Sequence, residues 1–382
     1  MRAKSVATCR LDAYRAGLEL GEGLREFAPE VVFLFSSIHY EGNPELLEGL
    51  HDGLANAPVV IGATGDGFYE TEAVAEIGAS ALGLNSGGRV QWHFGAATGV
   101  AADLDGALDR CLADLTAATG GAPLSLCIVF ADFHADAAAL VDGLAERVEA
   151  STVGGLAGDE YRMERCFVYA GRAVLVDGLV ILGATGDLRF AIHVAGDLMP
   201  VGQPGVVTAA DGTRLETIDD IPAMAFITAQ TGKPLSMADI GISAFQLTGS
   251  EDPNLCTLRT IRQIEGNDGS VTLFGSVRQD QHIQFCHASP DVIVQGVRAV
   301  SAQLGRESGE PAAGLVISCA GRKQVLGRDL DHEVGAIQEG YGRVFPLAGF
   351  PSFGEIGPRR NATGYTRTLS HNMTYILLVF ET

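Results

Sequence analysis

The chain has 382 residues, 47% of them apolar and 19% charged, with a formal net charge of −21. That length and composition describe a folded globular protein with room for two or three cores, and they exclude a disordered chain. The acidic balance argues against nucleic acid, which needs a basic footprint, and against attachment to anionic lipid.

The first thirty residues read as a strand-like start and a helix, with no apolar signal core. No stretch approaches the roughly 18 uninterrupted apolar residues that a membrane span requires. From there one pattern passes three times along the chain. In "PEVVFLFSSIHYEGNPELLEGLHDGLANAPVVIGATGDGF" a buried strand at Val31–Phe35 leads to a helix that starts at Asn43-Pro44, and then to a second strand ending in "ATGDG". In "LSLCIVFADFHADAAALVDGLAERVEASTVGGLAGDEY" the strand is Leu124–Phe130, the helix runs roughly 135–148, and the closing strand reaches "GLAGDE". In "AGLVISCAGRKQVLGRDLDHEVGAIQEGYGRVFPLAGFPSFGEI" a strand at Leu315–Ser318 leads to a helix near 330–340 and a strand ending at Glu355. The three passes end at Gly65-Asp66, Gly158-Asp159 and Gly354-Glu355, which lie 31, 29 and 37 residues beyond Phe35, Phe130 and Ser318. A strand–helix–strand unit of that length has parallel strands and a right-handed crossover.

Between the passes, three segments read as antiparallel hairpins, turning at Ser86-Gly87-Gly88, Gly186-Asp187 and Asn267-Asp268-Gly269. The expected fold is therefore α/β of a mixed α+β kind. Repeated strand–helix–strand modules and antiparallel hairpins form mixed sheets covered by helices. A turn-rich stretch, "VGQPGVVTAADGTRLETIDDIPA", marks a division near Pro222. The seven cysteines are odd in number and form no CxxC, and Cys127, Cys166, Cys286 and Cys319 lie in apolar runs. Reduced core thiols, and hence a reducing cytoplasmic setting, are the expectation.

These segments resemble the FIST family, a ligand-sensing module of microbial signal transduction with N- and C-terminal portions. "GLVISCAGRKQVLG", "PLAGFPSFGEIGP" and "LSHNMTYILLVF" carry the C-terminal likeness; "VVFLFSSIHY", "VVIGATGDGF" and "GLAGDE" carry the N-terminal one. The resemblance implies an N-terminal portion over 1–221 and a C-terminal portion over 222–382. It also implies binding of a small polar metabolite, an amino acid or a derivative, with the signal passed to a partner protein. Many family members are fused to a kinase, cyclase or methyl-accepting module; this chain has no room for one, so its output is expected to act in trans. No cofactor is implied.

In sheets with parallel strands, ligands bind beyond the carboxyl ends of the strands. Ser36-Ser37, Asp66, Asp132, Asp159, Cys319, Arg322 and Glu355 stand there, and Asn372 precedes the last apolar strand. One planar cation among several acids suits a zwitterion, with Arg322 forked onto a carboxylate and an acid accepting from an ammonium. The plain alternatives are a solvated loop charge for Arg322, turn-bracing carboxylates for Glu355, Asp66 and Asp159, and a strand-start amide for Asn372. His39 and His134 fall at equal offsets after Phe35 and Phe130, but the third pass has no histidine there, so helix-start histidines are expected rather than a metal site. The rival function is a cysteine-dependent hydrolase or transferase with Cys319 as nucleophile and His332 or His371 as base. A third is a scaffold that binds protein partners at its sheet edges.

Overall fold

The structure is a computed structural model that describes residues 1–249, 256–265, 268–361 and 364–382. Three six-stranded mixed sheets build its body, and one order of segments makes each of them. The first unit runs β1 (Arg2–Thr8), α1 (Ala13–Leu24), β2 (Val31–Ser37), α2 (Glu45–Gly53) and β3 (Val59–Gly65). A short hairpin, β4 (Phe68–Tyr69) and β5 (Val74–Ala75), and then β6 (Ala79–Asn85) complete it. The second runs β7 (Val90–Thr98), α3 (Leu104–Thr119), β8 (Leu126–Ala131), α4 (Ala137–Arg147) and β9 (Thr152–Leu156). Its hairpin is β10 (Val168–Ala170) and β11 (Ala173–Leu175), followed by β12 (Gly178–Gly186).

The third opens with β13 (Phe190–Ala195) and is then interrupted by an insert. The insert holds β14 (Met199–Pro200), β15 (Gly205–Asp211), β16 (Arg214–Ile218), β17 (Ile221–Pro222), α5 (Ala223–Thr231), β18 (Ser243–Thr248), β19 (Cys256–Ile264), β20 (Val271–Leu273) and β21 (His282–His287). The unit resumes with α6 (Pro290–Glu307), β22 (Pro311–Cys319), α7 (Ala320–Leu326), α8 (Asp331–Tyr341) and β23 (Leu347–Ser352). It ends with the hairpin β24 (Glu355–Asn361) and β25 (Gly364–His371), and with β26 (Tyr375–Glu381).

At the centre of each sheet lies one parallel pair: β2 with β3, β8 with β9, β22 with β23. Both faces of these strands are covered, which is why "VVFLFSS" is buried at every position and reads as a continuous apolar run. The short hairpins do not stay at home. β10 pairs with β3 of the first unit, β24 with β9 of the second, and β4 with β23 of the third. Each unit thus completes another's sheet, and the exchange closes in a ring.

The inner faces of the three sheets meet in one core. Phe35, Phe130 and Phe350, one from each sheet, form a triangle with ring centroids 5.5, 5.1 and 5.6 Å apart. Helix pairs cover the outer faces. Between α1 and α2 the backbones almost touch, since a Cβ added at Gly17 would sit 2.0 Å from the Leu46 carbonyl oxygen. The insert forms a separate eight-stranded sheet with its own core around Phe226, Phe245 and Phe285.

Two expected hairpins are not hairpins. The turn at Gly87 and Gly88 exists, with φ of 70° and 80°, but it hands the chain from β6 in the first sheet to β7 in the second. Gly186-Asp187 likewise passes the chain from β12 in the second sheet to β13 in the third. Turn chemistry reverses the chain, but the packing of whole sheets decides where the next strand pairs. The Asp268-Gly269 turn does join paired strands, β19 and β20; Asn267 lies outside the described residues. Pro222 sits on β17, inside the insert sheet. All seven cysteines are free thiols, with Cys9 exposed and Cys319 buried. Among the described residues no helix is long and apolar enough to cross a membrane.

Candidate ligand cleft beneath the inserted sheet

The three parallel pairs deliver their carboxyl ends to one place. Asp66 N–H donates to the Pro351 carbonyl at 3.2 Å, Gly158 N–H to Thr64 at 2.9 Å, and Leu156 N–H to Gly354 at 2.9 Å. This lacing gathers Asp66, Asp159 and Glu355, all at most 1% exposed, around the convergent strand ends.

Their side chains do different things. Asp159 accepts from the backbone N–H groups of Met163, Glu164 and Arg165 at 2.9, 2.7 and 3.1 Å, so it braces the loop that follows it. In that loop Glu160, Tyr161 and Met163 have φ of 59°, 60° and 55°, a left-handed conformation that side-chain-bearing residues adopt at a cost. Glu355 accepts from Ser352 Oγ at 3.1 Å and from Thr374 N–H and Oγ1 at 3.0 and 2.9 Å, so both of its oxygens are used inside the protein. Asp66 Oδ1 accepts from Glu160 N–H at 2.6 Å, which also holds the loop. Its Oδ2 is buried without a partner among the described residues. Burial pushes both the Asp66 and the Glu355 carboxyl up to about 7.

Arg322 turns away from this place. It is 0% exposed, and its Nε and Nη2 each lie 2.8 Å from Glu333 Oε1. The other Glu333 oxygen accepts from Tyr69 at 2.6 Å and Ser318 at 3.1 Å, and the guanidinium lies over the Tyr375 ring. The expected fork is made, but onto an internal carboxylate in a closed polar network. Ser36 is likewise internal, its hydroxyl 2.7 Å from that of Tyr169.

Cys319 and Asn372 do reach a surface. Together with Ser352 they line a narrow hollow of about 50 Å³. Asn372 Oδ1 also accepts from Thr260 N–H of the insert at 3.4 Å. Burial, with the Glu355 carboxylate second, pushes the Cys319 thiol well above its ordinary range, the opposite of what a nucleophile needs. Neither expected base serves it. His371 Nε2 lies 3.0 Å from the Gly357 carbonyl, and burial pushes its imidazole down to about 3. His332 is exposed on α8. His134 Nδ1 lies 2.7 Å from Asp132 Oδ1, and His39 occupies a short turn after β2. Among the described residues no group of three or more His, Cys, Asp or Glu could hold a metal ion.

The insert roofs the strand ends and leaves a cleft under itself. Beyond the narrow hollow are two wider lobes of about 950 and 360 Å³, and Met163 and Phe274 line all three spaces. The largest lobe has Asp66 in its wall, with Lys323 and Arg262 as its cations. Lys323 Nζ donates to the Asp66 carbonyl oxygen at 2.7 Å. Arg262 lies 5.8 Å from the Phe274 ring centroid and has no acid partner among the described residues. Apolar side chains stay uncovered here: Ile77, Tyr161, Met163 and Met237 are 45, 46, 39 and 79% exposed. Tyr161 and Phe133 each place a ring 5.6 Å from Phe353, an aromatic row between the lobes.

Sequence reasoning missed Lys323, Arg262, Tyr161, Met163 and Phe274. Lys323 follows the chosen arginine directly, and helix phase alone puts successive side chains about 100° apart. Tyr161 and Met163 follow the second Gly-Asp motif within "GDEYRM". Arg262 and Phe274 carried no signal, because they belong to the insert, which packs as a separate unit of sheet.

The family model described as FIST N domain matches residues 30–221, and that described as FIST C domain matches residues 223–358. Two uncharacterized proteins from Mycobacterium tuberculosis strains are each 25% identical to this chain over 217 residues. The match covers 54% of this chain and 56% of each relative, so it spans little more than half their length. Among solved structures, T. maritima PurL complexed with ADP aligns over 100% of this chain and 71% of its own, at 11% identity and a TM-score of 0.20, too low to carry a fold argument.

Proposed function

The chain belongs to the FIST family across residues 30–358, and from that premise we propose that it is a sensory protein whose ligand is a small zwitterion with an apolar or aromatic body. FIST domains are associated with signal transduction and with binding of small ligands. The observation that carries the reading is Asp66, in the wall of the 950 Å³ lobe, whose buried Oδ2 has no partner among the described residues. A buried carboxylate oxygen left without a donor is costly, so a ligand that supplies one gains what the empty site lacks. An ammonium group meets Asp66, a ligand carboxylate meets Arg262, and the apolar body lies against Tyr161, Met163 and Phe274. An aromatic or large aliphatic amino acid, or a derivative, has those three parts. The free thiols support a reducing, cytoplasmic setting. The insert contributes one wall and the body the other, so filling the cleft alters how the two sit together, and a partner protein reads that change.

The test is a thermal-shift panel of amino acids and their amine and N-acyl derivatives. A ligand at a hundred times its dissociation constant raises stability by about 2.7 kcal/mol. The shift is expected to vanish in Asp66→Asn and to shrink in Arg262→Gln. A ligand that stabilises both variants as it does the parent protein removes this cleft from consideration.

A further inference from the structure

A second pocket between the insert and the body adjoins the 360 Å³ lobe at Ala138 and Ser370. Its volume is about 440 Å³, and three arginines line it: Arg259 and Arg278 from the insert, and Arg367 from β25 of the body. The chain carries a net charge of −21, so three cations in one hollow run against its composition. Arg367 has an acid partner, Asp142, at 2.9 Å. The other two have none among the described residues. The exposed Arg278 guanidinium has no hydrogen-bond or ion-pair partner among the described residues.

Arg259 is the telling residue. It is 6% exposed, yet among the described residues its guanidinium hydrogen-bonds only neutral oxygens. Nε donates to the Ser276 carbonyl at 3.3 Å, and Nη1 to the carbonyls of Leu258 and Ser370, both at 2.9 Å. Nη2 reaches Ser370 Oγ at 3.4 Å. Arginine has five N–H donors, so one Nη2 hydrogen remains unused at the pocket. A buried charge normally meets its opposite, and a guanidinium at this depth without a carboxylate is stabilised by an anion from outside. Burial pulls Arg259 down to about 10, and the Asp136 carboxylate, which it does not touch, offsets that only in part.

We propose that this pocket binds a phosphate-bearing small molecule, held by Arg259, Arg278 and Arg367 and bridging the insert to the β24–β25 hairpin. A single carboxylate occupies one guanidinium fork, whereas a tetrahedral phosphate offers oxygens to three. The hydroxyls of Thr257, Ser276 and Ser370 add donors for an acceptor-only guest, and Val141 and Leu369 give an apolar floor for the rest of the molecule. The pocket shares Ala138 and Ser370 with the 360 Å³ lobe but no lining residue with the 950 Å³ lobe that holds Asp66, so either binding site can fail without the other.

Isothermal titration of the full chain with pyrophosphate tests this, with citrate as the carboxylate arm. Submillimolar pyrophosphate binding that weakens with added salt is expected, at least tenfold weaker in Arg278→Gln and in Arg367→Gln. Both side chains are exposed, so these variants fold; Arg298→Gln, on α6, is the control that keeps parental affinity. Absence of binding, binding unchanged in Arg278→Gln, or tighter binding of citrate than of pyrophosphate overturns the assignment.

Discussion

Two neighbouring side chains on α7 open onto opposite kinds of environment. Arg322 points into the body and ends in a network where Glu333, Tyr69 and Ser318 answer one another. Lys323 points to the cleft and ends beside Asp66, whose Oδ2 no described residue answers. Both regions are polar and both lie past a parallel strand pair, so residue type does not tell them apart; the completeness of the hydrogen bonding does. A closed network holds α7, α8, β4 and β22 together. An open one has a place for something else. The same distinction separates Glu355, with both oxygens engaged, from Asp66.

The closed side gives the largest effect. Glu333→Ala leaves a buried guanidinium unpaired and is expected to cost about 3–5 kcal/mol in urea unfolding, more than the roughly 1.5–3 kcal/mol of Tyr69→Phe, which removes one hydrogen bond to a charged group. A smaller loss for Glu333→Ala than for Tyr69→Phe breaks the comparison. Next comes pH. Ordinary values for Asp66 and Glu355 are 3.8 and 4.5, and in the folded protein both rise to about 7. Between about pH 4 and 7 the folded state therefore keeps protons that the unfolded chain has released. Stability contributed by these groups falls across that window and levels off above it, by at most about 1.4 kcal/mol per pH unit for each group. Asp66→Asn is expected to flatten the Asp66 share and leave that of Glu355. An unchanged pH profile counts against the burial argument.

On the open side, Asp159→Ala removes three backbone hydrogen bonds from a strained loop. A loss of about 1–3 kcal/mol is expected, with faster proteolytic nicking between 160 and 165; resistance equal to that of the parent protein shows that the loop holds itself. The smallest effect is at Cys319. Iodoacetamide at pH 8 should modify the exposed Cys9 and leave Cys319 untouched until the protein unfolds, as followed by mass spectrometry. A Cys319 adduct appearing as fast as that of Cys9 revives the cysteine-dependent enzyme.

Sequence alone determined the elements and the places where acids emerge from them. "VVFLFSS", "LCIVFA" and "GLVISC" are strands because continuous apolar runs of that length suit a strand buried on both faces. The helices over Glu45–Gly53, Ala137–Arg147 and Asp331–Tyr341 follow from apolar residues at helical spacing, with a start signal at Asn43-Pro44 for the first. The three Gly-acid positions follow from the length of the crossover unit. All of these are short-range rules, each complete within about forty residues. Tertiary structure decided the rest: that β6 and β7 belong to different sheets despite the turn between them, that each short hairpin serves another unit, that Arg322 spends its charge on Glu333, and that Arg262 and Phe274 of the insert come to face Asp66. Pairing partners and side-chain satisfaction depend on which surfaces meet after the sheets have closed around Phe35, Phe130 and Phe350. No local pattern carries that information, because the competing contacts lie hundreds of residues away.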